Sequence, residues 1–173
     1  SMLIMMGVVV LLTGSPTGPF LFAFGLLSVC YFDFYLFTGK CGYVIDNKEW
    51  KKLFFILLVN LAAGWILGAL IGITNPALFA AAALKVASWT NPLLHFIQAV
   101  LCGAIMFLAV ETYKRKSVLG ILYGVPLFII CGFQHCIANI IILGLSVSFS
   151  PFILIAIVGN FLGAIIINYL SRD

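Results

Sequence analysis

The sequence predicts an all-α integral membrane protein with six transmembrane helices. Its apolar fraction is 64%, its charged fraction is 8% and its mean hydropathy is +1.25, whereas soluble chains average about 45–50% apolar and about 25% charged residues. The nine Lys and Arg and five Asp and Glu residues are too few to cover a soluble globule with polar surface. We therefore expect one transmembrane domain, residues 1–173, that uses lipid as its solvent.

Six apolar runs give the number of helices, because a membrane-crossing helix needs about 20 apolar residues. The runs lie at residues 2–12, 19–37, 53–73, 93–113, 118–147 and 152–170. The first run is about half as long as a span, so either the chain is cut there or the loop residues after it belong to the helix. No signal-peptide cleavage pattern follows this run.

The basic residues predict the orientation of the helices. Eight of the nine lie in the connections after the second and fourth runs or after the sixth run: Lys40, Lys48, Lys51, Lys52, Lys114, Arg115, Lys116 and Arg172. The opposite side holds Lys85. The positive-inside rule therefore places both termini in the cytoplasm, which agrees with an even number of spans.

Weak internal symmetry divides the chain into halves at about residues 1–80 and 81–173. Asn60 in the third run and Asn160 in the sixth are each followed by small residues, and Thr38 and His135 lie upstream of them beside glycines. Three spans per half require the halves to insert in opposite directions, an arrangement in which broken helices form a transport site near the bilayer midplane. The alternative is that the glycines only allow close helix packing.

His135 is the sharpest candidate for chemistry, since an ionisable residue deep in an apolar run is a functional hypothesis by default. Imidazole titrates near neutral pH and can exchange a proton with a bound acid; the alternative is a neutral ring bonded to an adjacent helix. Gln134 and Asn139 would orient this ring, donate to an anion or only pack. Thr38, with the N–H of Gly39, suits a small anion, unless it belongs to a satisfied turn.

Four further polar residues have weaker interpretations. Lys85, in the connection 74–91, either attracts anions to an outer vestibule or is a solvated loop charge. Glu111 is interpreted as pairing with the bases at the end of the fourth run, and His95 as interfacial. The role of Asp33 stays open.

The segments L-F-T-G-K (36–40), G-F-Q-H-C-I-A-N (132–139) and G-N-F-L-G (159–163) resemble the motifs of the formate/nitrite transporter family from about residue 19 onward. The resemblance implies an aquaporin-like inverted repeat with helices 2 and 5 broken, assembled as a homopentamer in a bacterial inner membrane, with a pore through each protomer. It further implies that Thr38, His135 and Lys85 are the family's loop threonine, central histidine and vestibule lysine.

The resemblance also places the apolar constrictions of the pore on both sides of the histidine. These positions are Phe22, Leu26, Phe37 and Phe128. The sequence departs from the family's motifs at Gln134, where Glu is usual, at Lys40, where a small polar residue is common, and at Gly103, where Asn is frequent.

We therefore expect a channel or transporter for small monovalent anions and protons, with permeation coupled to protonation near His135. Formate, nitrite, hydrosulfide, lactate and acetate all fit, because a desolvated anion is far costlier to move through an apolar slit than its neutral acid. No catalytic, nucleotide-binding or metal-binding motif is present, so we expect no enzyme, metal, cofactor or nucleic-acid partner. A neutral-solute channel of the same fold and a non-transporting membrane scaffold are the alternatives.

Overall fold

A computed structural model describes residues 2–171, which fold entirely into helices. Ten α-helices and one short 3-10 turn, Cys41–Tyr43, make up this part of the chain. The helices are α1 (Met2–Leu12), α2 (Gly18–Tyr31), α3 (Phe37–Lys40), α4 (Val44–Asn47), α5 (Trp50–Thr74), α6 (Pro76–Ala87), α7 (Pro92–Lys114), α8 (Leu119–Ile130), α9 (Cys136–Leu145) and α10 (Phe152–Leu170).

Three of these helices, α5, α7 and α10, are long and apolar enough to cross a bilayer. Only 17% of the most apolar window of α5 is buried within the chain, and α5 exposes Phe54, Phe55, Leu70 and Ile73. A helix so apolar and so exposed requires a nonpolar surrounding. The fold is therefore compatible with a membrane protein, as the composition predicts.

The second and fifth apolar runs are each interrupted, as the sequence predicts. The second run leaves helix at Tyr31 and resumes as α3, and the fifth leaves helix at Ile130 and resumes as α9. We call residues 32–36 the first break and residues 131–135 the second break. Because of these interruptions, the segments of both runs are shorter than the roughly 20 residues of a single straight span.

The connection 74–91 contains a helix, α6, that the sequence analysis treated as a loop. Asn75 caps it, because the Asn75 Oδ1 accepts the N–H of Leu78 at 3.1 Å, and Pro76 occupies its first position. Both are standard signals for a helix start. The helix buries Leu78 and Ala82 and packs against α9, so it holds Lys85 at a defined place.

Close packing of α7 on α10 builds one side of the core. A Cβ at Gly103 would collide with the backbone of Asn160, and one at Gly163 would collide with the backbone of Val100. The helices therefore approach closely through small residues, as is common in membrane bundles. This contact also explains the departure at position 103, because an asparagine side chain has no space there.

The bases of two connections meet at one end of the bundle. Lys40, Lys52 and Lys114 line a single surface cavity of about 200 Å³, whereas Lys85 lines cavities with residues of the second break. This separation agrees with the charge alternation of the sequence. Arg172, which the sequence analysis assigned to the same side, lies outside the described residues.

Candidate functional site

The two breaks are built from the same backbone hydrogen bonds. In the first, the N–H of Phe34 donates to the carbonyl of Val29 at 2.9 Å, and in the second the N–H of Phe133 donates to that of Phe128 at 2.9 Å. The turning residue has a left-handed backbone in both, with φ +51° at Asp33 and +72° at Gly132. These contacts close the preceding helix in the manner of a Schellman motif.

Two asparagines from the long helices secure the breaks. Asn60 of α5 accepts the N–H of Phe37 at 2.9 Å and donates to the carbonyl of Tyr35 at 3.1 Å. Asn160 of α10 does the same for the N–H of Cys136 and the carbonyl of Gln134, both at 2.8 Å. Non-helical backbone at membrane depth must have its polar groups satisfied by protein or water, and these side chains satisfy them.

The contacts of the asparagines fix which residues of the two breaks correspond. The residue between the two bonded peptides is Leu36 in the first break and His135 in the second, and both precede a helix in an extended conformation (φ −109° and −102°). The sequence analysis had paired Thr38 with His135. Thr38 lies instead one turn into α3, and it reaches His135 by side-chain contact.

His135 is held in a defined orientation at the centre of the bundle. Its Nδ1 accepts the N–H of Ala138 at 3.1 Å, which caps α9, and its Nε2 lies 3.0 Å from the Thr38 Oγ1. Because Nδ1 accepts a backbone hydrogen, we assign the proton of the neutral ring to Nε2, where it is donated to Thr38. The hydroxyl hydrogen of Thr38 is then free to meet an acceptor.

Aromatic rings enclose this polar pair. The ring of Phe22 lies edge-on at 5.5 Å from His135, and that of Phe128 stacks on it at 5.7 Å. We call the plug the group formed by these four side chains and Leu26. Each member of the plug is at most 2% exposed, so the polar pair lies within an apolar seal.

Phe37, the fourth predicted constriction residue, is buried at 3% exposure but lines neither of the cavities that meet the plug. Its backbone N–H is occupied by Asn60. Leu36 lines one of these cavities. The one-residue difference follows from the break, whose extended residue projects where the sequence resemblance expected the phenylalanine.

Two cavities approach the plug from different ends of α2. The His135 cavity, about 220 Å³, is lined by Phe22, Phe128 and His135 together with Lys85. The Lys114 cavity, about 210 Å³, is lined by Leu26 and Val29. With a rise of about 1.5 Å per residue, Phe22 and Val29 lie about 10 Å apart along the helix. The plug therefore separates two recesses.

The mouth of the Lys114 cavity carries opposite charges in contact. Lys40 Nζ lies 2.6 Å from the Asp33 carboxylate, and this hydrogen bond, reinforced by the charge of Lys40, lowers the pKa of Asp33 below its usual value. Lys114 Nζ lies 3.1 Å from the centre of the Tyr43 ring, a cation–π contact. The predicted pairing of Glu111 is confirmed, since it contacts Arg115 at 3.1 Å.

A third cavity, the Trp89 chamber, adjoins the His135 cavity and measures about 270 Å³. Lys85, Gly132 and Gln134 line both of them. Lys85 is exposed and makes no ion pair within residues 2–171. The structure thus brings Lys85 into the same connected space as His135, and it adds Trp89, which the sequence analysis did not single out.

Gln134 and Asn139 belong to a buried network of hydrogen bonds. Asn139 Nδ2 donates to Gln134 Oε1 at 3.1 Å, and Gln134 Nε2 donates to Gln98 Oε1 at 3.1 Å. Asn139 also contacts His95 Nε2 at 3.4 Å. The prediction that His95 is interfacial is wrong: the ring is 3% exposed and packs between Trp89 and Phe152.

Chemically, the site offers hydrogen-bond donors and apolar walls. Within the described part of the chain, no three His, Cys, Asp or Glu side chains converge on a point where a metal ion could bind. The plug presents the Thr38 hydroxyl and the His135 Nε2–H between two recesses. Such a site can pass a small molecule that needs little hydration, and it can bind the acceptor atoms of that molecule on the way.

Comparison with known proteins identifies no relative of this chain. No family model matches it, and neither a curated protein nor a solved structure is significantly similar to it.

Proposed function

We propose that this chain is a membrane channel for small monovalent anions of weak acids, which cross the plug as neutral acids. The observation that carries the proposal is the plug itself: two recesses end on one group of buried side chains in which Thr38 and His135 form a polar pair at 3.0 Å. This arrangement supports selective passage better than a packing role, because a packed core has no need of a recess on each side.

The chemistry of the plug selects against charge. An anion in an apolar constriction loses its hydration and finds no cation among these five side chains, so its transfer costs several kcal/mol or more. Protonation removes this cost. The neutral acid still carries oxygen or sulfur acceptors, for which the Thr38 hydroxyl and the His135 Nε2–H are suitable donors.

His135 can act in two ways, and its hydrogen bonds separate them. As a neutral donor it keeps the cap on α9 intact. As a proton carrier it must take a proton on Nδ1, and it then loses the bond from the Ala138 N–H. We propose that proton exchange with the anion occurs at the Nε2 face of the ring, coupled to this loss of the cap.

The remaining features of the proposal come from the sequence. These are six membrane crossings in an aquaporin-like inverted repeat, termini in the cytoplasm, assembly as a homopentamer in a bacterial inner membrane, and membership of the formate/nitrite transporter family. The matching hydrogen bonds of the two breaks support the internal repeat. The pentamer and the membrane rest on the resemblance alone.

The test is formate uptake by liposomes that contain the purified protein, measured against external pH. We expect uptake to rise as the pH falls, because the neutral fraction of the acid increases. His135→Asn keeps a capping oxygen and a donor but cannot titrate, whereas His135→Ala loses both. If His135 relays protons, both variants lose most of the uptake; wild-type uptake by His135→Asn would overturn the relay.

Thr38→Val tests the second donor, because valine keeps the shape of threonine without its hydroxyl. The matched control is Thr112→Val in α7, whose hydroxyl bonds to the carbonyl of Ala109 in its own helix. We expect reduced uptake only for Thr38→Val. Uptake independent of pH, with passage of glycerol or water, would identify a neutral-solute channel. Variants of Thr38 and His135 that change stability but no permeability would identify a scaffold.

A further inference from the structure

The Trp89 chamber contains a buried hydrogen-bond donor without a partner. Trp89 is 8% exposed, and its indole Nε1–H makes no hydrogen bond. Its ring packs edge-on against His95 at 5.4 Å, so it cannot turn freely toward another acceptor. A buried donor left unsatisfied is destabilising, and a group of this kind in the wall of a cavity therefore indicates an absent acceptor.

The acceptors of the chamber are already engaged by the protein. Gln134 Oε1 accepts from Asn139, Gln98 Oε1 accepts from Gln134, and Asn91 Oδ1 accepts the N–H of Leu94. The two amide contacts run in one direction, from Asn139 toward Gln98. Consequently the amide that ends this series offers its N–H groups, not its oxygen, to the chamber.

Three donors remain available on the chamber wall. They are the Lys85 ammonium, the Trp89 indole N–H and the Gln98 amide Nε2, none of which has a side-chain acceptor within residues 2–171. Lys85 and Trp89 stand four residues apart at the end of α6, a spacing that places two side chains on the same side of a helix.

The geometry points to a binding site for a small planar oxyanion in the Trp89 chamber, formed by Lys85, Trp89 and Gln98. Its ligand class is a carboxylate or nitrite, because two acceptor oxygens can engage two separate N–H donors while the ammonium balances the charge. A halide or hydrosulfide has one acceptor atom and satisfies fewer of these donors. The inference rests on the proposed function only in taking this anion to be the permeant one.

Tryptophan fluorescence tests the binding without any transport. The Trp50→Phe/Trp65→Phe protein keeps Trp89 as its one tryptophan. We expect sodium formate to change the emission of Trp89 saturably, and sodium chloride at equal ionic strength to change it much less. Lys85→Gln and Gln98→Leu in this background should each weaken the formate response. An emission that ignores formate, or that responds equally to chloride, would overturn the oxyanion site.

Trp89→Phe tests the site in transport, since phenylalanine keeps the ring and removes the N–H. The matched control is Trp65→Phe, which removes an indole N–H that is bonded to the carbonyl of Ser148 at 3.1 Å. We expect the half-saturating formate concentration to rise about tenfold for Trp89→Phe, the loss of one bond to a charged group, and to change little for Trp65→Phe. Formate binding without transport would refute the channel and leave the site; transport with no change for Trp89→Phe would refute the site alone.

Discussion

Replacement of Asn160 with alanine should destabilise the second break more than any other single change to a polar residue there. The side chain is fully buried and holds the N–H of Cys136 and the carbonyl of Gln134, both at 2.8 Å. Alanine leaves both groups without a partner at a depth that water does not reach. Each unsatisfied group costs about 1–3 kcal/mol, so we expect the free energy of unfolding to fall by about 2–6 kcal/mol.

Asn60→Ala is the matched control, because Asn60 makes the same two contacts at the first break. Asn60 is half-buried, so solvent or lipid headgroups can replace part of what it loses, and we expect about 1–3 kcal/mol. Reversible unfolding with sodium dodecyl sulfate in mixed micelles, followed by circular dichroism, measures both values. A cost for Asn160→Ala no larger than that of Asn60→Ala, or near the roughly 0.6 kcal/mol average for side-chain hydrogen bonds in membranes, would refute the reasoning.

Three further predictions follow from packing and charge. Gly103→Ala should disrupt the contact of α7 with α10, because its Cβ meets backbone there; a thermal stability equal to that of the wild type would contradict this packing. Phe22→Ala should open the plug and admit chloride into liposomes, whereas Phe24→Ala, at a position that is 52% exposed, should not; a chloride-tight Phe22→Ala channel would contradict the seal. Asp33 should keep its charge to a pH below the usual Asp pKa of 3.8, with its ion pair lost as the pH falls through the lowered value, and Lys40→Gln should raise that pKa toward 3.8. Carbon-13 NMR titration of labelled aspartate measures this pKa, and an unchanged midpoint in the variant would exclude the ion pair as its cause.

The sequence was sufficient to predict the class of fold and the interruptions of two apolar runs. Low charge and long apolar stretches leave few solutions other than helices in lipid. Gly132 marks the second break because it adopts a left-handed backbone, but the first break turns at Asp33, a residue that gives no strong signal. The correspondence of Leu36 with His135 was missed for a related reason: chemical similarity led to Thr38, whereas backbone hydrogen bonds set the register.

The Trp89 chamber could not be predicted from the sequence in the same way. Asn75 and Pro76 do signal the start of α6, yet its length falls well below a span, and it was therefore treated as a loop. His95 was called interfacial from its position near a helix start, and only the packing of α6 against α9 reveals that it is buried. Trp89 carries no motif, and its unpaired N–H exists only in the folded chain.

The two candidate sites divide the work of selection between them. The Trp89 chamber has a cation and donors whose partners must come from a ligand, so it favours an anion over its neutral acid. The plug has donors but no cation, so it favours the neutral acid over the anion. A permeant species must satisfy both sites in turn, and a weak acid that loses and regains one proton does so, whereas chloride and glycerol each fail at one of them. Lys85→Gln should therefore weaken discrimination between formate and glycerol, and Phe22→Ala should weaken discrimination between formate and chloride. If both variants lost the same discrimination, the chamber and the plug would form a single selective element, and the division of labour would be wrong.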